Sequence, residues 1–474
     1  MLDLGNDEVY YLSYARYPQW SYFDHPPAVG WAAAWGTAQG NLLHPFFTRL
    51  VPNVLCGVNL LLVYRMAARF GGAERAAWTT VLFASSLYTQ VIAGFFLMPD
   101  APLLTSLLLS LFVASRFIPR NRMSGREAVA FGTFLGWAFL SKYHALFLWG
   151  GFLLYCMLYA RHFFRSYPIY LAAVTTALWM IPVVIWNASN GFVSFVFQTD
   201  RIGPAETGLD SMGAARELLG SMAYANPIVW GIAVAAVIRM LRGTSTGDVR
   251  FDRFILCSAL PLIALFLASA WFKPTLPHWS APAYSLILVP AGLLFAPHPR
   301  WIKVAAVTMA ALWCILVAVI VWVPLERLPS PPEALGKQDV TLDMVGWKNA
   351  ASGLTPVLDS LRRADGLQPS SRMLITHWFP GAHTEHYLAV PLGIPIYPVG
   401  DTASLHHYAF LRNRIAPLDP HATHLYLATS RHFRDPVKQP EFTDIRCIDT
   451  LPIFKGKHHV ANFFLYTVQL RASN

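Results

Sequence analysis

The sequence predicts a mainly α-helical, polytopic membrane protein with a C-terminal extracytoplasmic α/β domain. Three observations lead there. Of the 474 residues, 55% are apolar and only 13% charged, where a soluble domain carries about 25% charged residues. Mean hydropathy is +0.41. Apolar stretches of about 17–25 residues, the length a helix needs to cross a bilayer, recur as far as residue 325 or so. The same figures exclude a disordered chain, a collagen and a coiled coil. The net charge of +10 bears on topology in such a chain rather than on nucleic acid, because the placement of the charges carries the information.

Ten spans are expected, at 46–66, 77–93, 101–118, 127–142, 143–160, 168–187, 226–241, 254–271, 280–297 and 302–324. The fourth and fifth abut at Ser141-Lys142-Tyr143-His144, which demands a very tight turn. Charge placement supports the spans. One set of loops holds Arg65, Arg69 and Arg75, then Arg116, Arg120, Arg122 and Arg126, then Arg161 and Arg165. It continues with Arg239, Arg242, Arg250 and Arg253 and ends with Arg300 and Lys303. The alternate loops hold Lys142, Arg201, Arg216 and Lys273, an asymmetry of fifteen to four. Positive loops stay inside, which puts the Arg-rich loops in the cytoplasm. Residues 1–45, the 188–225 and 272–279 loops and everything after about 325 are then expected outside. Residues 1–45 would have no helix to carry them across, so one further transmembrane helix is expected upstream of Met1, a short translocated N-terminal tail being the alternative.

Residues 1–325 are accordingly the transmembrane domain and 326–474 the extracytoplasmic α/β domain. Pro329-Ser330-Pro331-Pro332 reads as the linker. An amphipathic helix is expected over 344–364, and strands near 372–377, 394–398, 423–429, 445–453 and 462–469. Cys56, Cys156, Cys257 and Cys314 lie in apolar runs, where a thiol behaves as a small hydrophobe. Cys447 stands alone, and with no CxxC neither a disulfide framework nor a zinc ribbon is indicated. Met1 to Tyr22 lacks the apolar stretch of a cleavable signal peptide.

The outer loops concentrate polar residues able to do chemistry. Asp7-Glu8-Val9-Tyr10-Tyr11 is followed by Trp20-Ser21-Tyr22-Phe23-Asp24-His25-Pro26-Pro27. Adjacent carboxylates at a membrane surface can bind a divalent cation, hold a substrate hydroxyl or act as a general base. The surrounding aromatics suit sugar stacking, or equally an interfacial belt on an ordinary solvated loop. Met98-Pro99-Asp100-Ala101-Pro102 stands at the outer mouth of the third span, where Asp100 could cap the helix. Lys142 and Tyr143 occupy the tight outer turn; a lysine there snorkels or meets an anion. Trp271-Phe272-Lys273-Pro274-Thr275-Leu276-Pro277-His278-Trp279 adds Lys273 and His278 at the same level, or simply anchors the interface. All four sets fall on one side of the membrane. Carboxylates, fixed cations and aromatic walls together suit displacement at a carbon bearing a phosphate.

His377, His383, His386, His406 and His407, with Glu385, and the pair His458-His459 match no zinc-ligand spacing and read as surface or interdomain histidines. No phosphate-binding loop, dinucleotide fingerprint or nucleophile elbow is visible. No charged pathway runs through the spans, which argues against a proton-coupled transporter.

Asp-Glu-x-Tyr-Tyr followed by Tyr-Phe-Asp-His-Pro-Pro, over 7–27, closely resembles the first extracytoplasmic loop of GT-C membrane glycosyltransferases of the glycosyltransferase 39 / PMT_2 group. That group includes dolichyl-phosphate-mannose protein mannosyltransferases and bacterial enzymes that move aminoarabinose or galacturonic acid from polyprenyl phosphate onto lipopolysaccharide. Met98–Pro102, Gly136–Tyr143 and the stretch 271–284 resemble further outer segments of the group, in order. The resemblance implies a GT-C helical bundle in a bacterial inner membrane, with its site and C-terminal domain facing the periplasm. It implies an inverting transfer from a polyprenyl-phosphate-linked sugar to a lipid, lipopolysaccharide or protein acceptor. Asp7 is then the expected base. Glu8 and Asp100 orient acceptor or sugar, or, with Asp7, hold a divalent cation. Lys142, Lys273, Arg201 and His278 stabilise the leaving phosphate, and Tyr10, Tyr22, Asp24, His25 and Tyr143 complete the substrate surface. A transporter of a lipid or polysaccharide precursor and a noncatalytic membrane scaffold are the rival readings. Discontinuous helices with polar residues at depth would favour the transporter.

Overall fold

A computed structural model describes residues 2–202, 209–325, 331–416 and 418–471; positions 329 and 330 of the expected linker lie outside them. The chain forms two compact units. One is helical and comprises Pro18–Gln39 and Phe46–Leu312; the other comprises Met1–Tyr17, Gly40–Pro45 and Trp313–Asn474. The N-terminal segment therefore packs with the C-terminal α/β unit, a grouping that composition gave no sign of.

The first helix, α1 (Asn6–Arg16), belongs to the α/β unit. The helical unit follows with α2 (Ala28–Thr37), α3 (Pro45–Ala84), α4 (Asp100–Arg120), α5 (Gly125–Ser141) and α6 (Leu146–Tyr159). Then come α7 (Tyr167–Ser189), α8 (Val193–Ile202), α9 (Gly213–Ala225), α10 (Pro227–Leu241), α11 (Val249–Ser269), α12 (Ala281–Phe295) and α13 (Arg300–Trp322), which from Trp313 onward is counted with the α/β unit. The chain is a multi-pass membrane protein, and each of the ten expected stretches carries helix. Among the described residues five helices are long and apolar enough to cross a bilayer: α3, α4, α7, α11 and α13. A sixth span is possible if α9 and α10 count as one. The expected spans 46–66 and 77–93 fall largely on one 40-residue helix, α3, broken at Gly72, whose φ of 78° and ψ of 177° interrupt the helical path. The expected 188–225 loop contains α8 and α9. Between α9 and α10 the chain bends by 108°, a discontinuity that hydropathy did not reveal. Asn226 at the break has φ 72°. It donates to the Ser85 and Ala305 carbonyls and accepts from the Ile228 amide, so its polar atoms serve the fold rather than a transport path.

Small residues bring α5 and α7 together. A Cβ on Gly132 would lie 2.4 Å from the Ala172 carbonyl oxygen, and one on Gly136 2.5 Å from Trp179 Cβ. Glycines four apart on one helix face permit such backbone approach in membranes. Thr176 Oγ1 reaches across to the Gly132 carbonyl at 2.9 Å and accepts from Trp149 Nε1 at 3.0 Å. Phe117, Phe131, Phe152 and Phe163 form an edge-to-face aromatic core.

The α/β unit contains α14 (Trp347–Arg363), α15 (Trp378–Thr384) and five strands: β1 (Met373–Ile375), β2 (Ile396–Pro398), β3 (His424–Thr429), β4 (Phe442–Lys455) and β5 (His458–Leu470). Sheet order is β2-β1-β3-β5-β4. The first three strands are parallel and the last pairings antiparallel. Helix and strands stand where the sequence places them. The segment 2–17 is tied into this unit: Asp3 accepts from the Trp347 amide at 2.9 Å, the Leu4 amide donates to Tyr387 Oη at 2.8 Å, and His383 Nε2 lies 3.2 Å from Asn6 Oδ1. Arg16 lies 3.7 Å from Glu385, whose Oε2 also accepts from Tyr408 at 2.5 Å.

His383, His386 and His407, expected at the surface or between domains, are buried inside the α/β unit. His383 stacks on Trp347 with ring centres 4.2 Å apart. Arg16 Nη2 donates to His386 Nδ1 at 2.9 Å, so a proton on that nitrogen would face a guanidinium. Burial and then the Arg16 charge push His386 down to about 3. A histidine held neutral in the folded state while the unfolded chain titrates near 6.5 loses stability as pH falls. The contribution is full above about pH 6.5 and is lost progressively towards pH 3. Between pH 7.5 and 5 the fall for His386 is about 2 kcal/mol. Thermal unfolding across that range should show it, and His386→Gln should flatten the slope.

Candidate active site

The centre of the site is a buried ion pair at one end of the helical unit. The chain enters α4 through Met98-Pro99, and Asp100 is the first residue of that helix. Its carboxylate does not cap the helix. It accepts from Lys142 Nζ at 3.1 and 3.2 Å and from Tyr88 Oη at 2.9 Å. Lys142 stands where α5 ends, in extended backbone with φ −161° and ψ 143°, and a short turn at Tyr143–Ala145 leads straight into α6. This is the tight turn that the abutting spans require. Asp100 is 0% and Lys142 5% exposed. Two charges taken this far from water persist only when paired and hydrogen-bonded, and both conditions are met.

Several cations and imidazoles surround the pair. His25 and His278 each lie near enough to Lys142, Asp100 and Arg201 for those charges to act on them. Burial, above all, lowers both imidazoles to about 4, so they are neutral at pH 7, and His278 is then a hydrogen-bonding group rather than a fixed charge. The Arg201 guanidinium lies over Phe197 at 4.7 Å and over Trp279 at 5.0 Å, a cation–π placement. The loop that carries His278 is held by Glu217 of α9, which accepts from Thr275 Oγ1 at 2.6 Å and from Ser280 Oγ at 2.9 Å. Gly220 on the same helix admits Pro277, since a Cβ there would come within 2.1 Å of it.

Beside the pair runs an apolar groove of about 600 Å³. Trp31, Trp35, Trp137 and Trp179 line it, and it includes Pro102 and Ser141, the latter adjacent in sequence to Lys142. The helical unit therefore offers a greasy channel next to a charged, partly desolvated cluster. That combination fits an amphiphile with a long apolar tail and an anionic head.

Residues 24–186 match the family described as dolichyl-phosphate-mannose-protein mannosyltransferase, PMT_2. Over 98% of this chain and 94% of the other, the fold is similar to that of ArnT from Cupriavidus metallidurans in the crystal structure bound to undecaprenyl phosphate, with a TM-score of 0.66 and 16% identity. The chain has the polytopic helical fold of ArnT, and within it residues 24–186 carry the PMT_2 match. The apo ArnT structure gives a TM-score of 0.62 at 15% identity, with the same coverage. The chain is also 22% identical over 304 residues to lipid A galacturonosyltransferase RgtD of Rhizobium johnstonii. That match spans 64% of this chain and 63% of the relative, somewhat under two thirds of its length. The PMT_2 segment contains Asp24, His25, Asp100, Lys142 and Tyr143 and leaves out Asp7, Glu8, Tyr10, Tyr22, Arg201, Lys273 and His278.

The remaining expected residues are distributed as follows. Tyr22 is buried, and its hydroxyl accepts from the Gln19 amide at 3.1 Å. Asp24 is buried with its carbonyl accepting from Gln198 Nε2 at 2.6 Å. Both shape the turn that presents His25. Tyr143 packs against Phe139 and Phe195. Lys273 donates to the Asp200 carbonyl. Asp7, Glu8 and Tyr10 sit on α1, in the α/β unit. Asp7 is half-buried; Glu8 is 1% exposed and accepts from the Gly5 amide at 2.9 Å, closing the helix start. Tyr10 is a core residue of that unit, its ring against Trp378 and its oxygen accepting from the His407 amide at 3.1 Å. Among the described residues no three His, Cys, Asp or Glu side chains gather as a metal site would require. Sequence reasoning missed Tyr88, which looked like any aromatic in an apolar run, and Glu217, whose only signal was a carboxylate in an outer segment.

Proposed function

We propose that this protein transfers a sugar from a polyprenyl-phosphate donor, with inversion, to a lipid, lipopolysaccharide or protein acceptor on the extracytoplasmic face of a bacterial inner membrane. The observation that supports it most is the Trp-lined groove whose wall includes Pro102 and Ser141, the close sequence neighbours of the paired Asp100 and Lys142. The name of RgtD, a lipid A galacturonosyltransferase, and the undecaprenyl phosphate bound in the ArnT structure support the same reading. A polyprenyl tail would lie in the groove, with its phosphate beside Lys142 and Arg201. The phosphate leaves as an anion, so fixed positive charge helps it more than a proton donor does. Lys142 has three ammonium protons and can serve Asp100 and a phosphate oxygen together. Neutral His25 and His278 add hydrogen bonds.

Asp7 takes the proton of the acceptor hydroxyl as it attacks the anomeric carbon, and Glu8 fixes the turn of α1 that presents it. A divalent cation held by Asp7 and Glu8 is the alternative role for the two carboxylates. Purified protein in nanodiscs, given a synthetic polyprenyl-phosphate-linked sugar and a membrane extract as acceptor source, should form a glycosylated product detectable by mass spectrometry. A nucleotide sugar should not replace the donor. Transfer from the nucleotide sugar, or none from any lipid-linked sugar, overturns the reading. In the base mechanism, chelation with EDTA leaves the rate unchanged; a loss restored by magnesium assigns Asp7 and Glu8 to a cation instead.

A further inference from the structure

The opposite end of the helical unit holds a second cavity that the transfer reaction does not use. Helix α4 begins at Asp100 and ends at Arg120, about 30 Å away at 1.5 Å per residue. Around that far end lies a cavity of about 780 Å³ lined by Arg120, Arg122, His162 and Arg165 together with the starts of α5 and α7. The one carboxylate in its lining, Glu127, is engaged: it pairs with Arg120 and accepts from the Ser124 amide and hydroxyl at 3.0 and 2.8 Å. His162 Nε2 lies 2.9 Å from the Asn121 carbonyl oxygen. Arg122 and Arg165 make no ion pair among the described residues, and both are exposed. Arg69 lies close enough to Arg116 and Arg120 for the like charges to repel.

Two helix starts add to this field. Ser124 caps α5 through its side chain. Ser166, before α7, instead turns its hydroxyl back to the Phe163 carbonyl at 2.8 Å, which leaves the first amides of α7 without a side-chain acceptor. Helix starts of this kind favour anions. Immediately beyond the cavity, the outer face of α7 carries Tyr170, Val174, Leu178, Ile181 and Ile185, all exposed. Their spacing of three and four residues draws an apolar stripe down the helix from the basic mouth. An anionic head above a stripe for hydrocarbon is the profile of a lipid.

We propose that the cavity formed by Arg120, Arg122, His162 and Arg165 binds the phosphate of an anionic glycerophospholipid whose acyl chains lie along α7. The inference stands apart from the donor site and does not depend on the transfer reaction.

The test uses the full chain in phosphatidylcholine nanodiscs, titrated with fluorescent phosphatidylglycerol and, separately, fluorescent phosphatidylcholine. Wild type should retain phosphatidylglycerol preferentially. The double variant Arg122→Ala, Arg165→Ala should weaken that retention roughly 10- to 30-fold, from the usual worth of two basic residues against an anionic headgroup, and leave phosphatidylcholine unaffected. Both arginines are exposed and unpaired, so the thermal midpoint should hold; Arg122→Gln with Arg165→Gln repeats the measurement with less change in side-chain packing. Equal retention of the two lipids by wild type, or unchanged phosphatidylglycerol binding in both variants, overturns the proposal. So does full competition by millimolar inorganic phosphate without lipid preference, which would identify the ligand as free phosphate.

Discussion

Asp7→Asn should lower the rate of sugar transfer by at least a hundredfold while the protein keeps its fold. The substitution preserves size and shape and removes the negative charge and with it the ability to take a proton, a contribution of about 10²- to 10⁴-fold in general-base catalysis. Asp7 lies in the first turn of α1, where a negative charge favours the helix by only about 0.3–1 kcal/mol. The thermal midpoint should therefore move little. Initial rates with saturating donor, taken beside a melting curve, separate the two effects. A variant with wild-type turnover removes Asp7 from the base role and shifts attention to another acceptor of the proton.

Lys142→Ala should damage both stability and donor use. The ammonium is the counter-charge of Asp100, and both groups are buried. Removing one partner strands the other, at a cost of about 3–5 kcal/mol for a buried pair. Asp100→Asn combined with Lys142→Met, which leaves no buried charge, should recover most of that loss. Donor use should not recover, because the cation next to the leaving phosphate is still missing. The informative comparison is the double variant against Lys142→Ala: restored melting with restored transfer would mean that Lys142 serves the fold alone.

The contrast between those two residues reflects what a sequence makes visible. Lys142 is conspicuous because an apolar run cannot carry a lysine cheaply, and the abutting spans around it already required the turn that the structure shows. Its partner, 42 residues away, is equally conspicuous, yet nothing local says that the two meet. The five strands and α14 were legible from alternation and β-branching. The break at Gly72 was not, since a glycine pair in a helix is ordinary until a backbone angle shows otherwise. The place of α1 was least legible of all. Tyr10 and Tyr14 suit a membrane interface as well as a protein core, and the residues that decide between them, Trp378, His407 and Tyr408, come nearly 400 positions later. The buried histidines follow from the same long-range packing.

That distance has a consequence for biosynthesis. At roughly 5–20 residues per second, the ribosome needs some tens of seconds after making Asn6 before Trp378 and Tyr408 emerge. Throughout that interval the tyrosine-rich segment has no hydrophobic cover of its own, and the growing chain must shelter it by other means. Stop codons placed before residue 378 should thus release products whose amino-terminal segment is readily clipped by proteases, even where the apolar helices have already inserted.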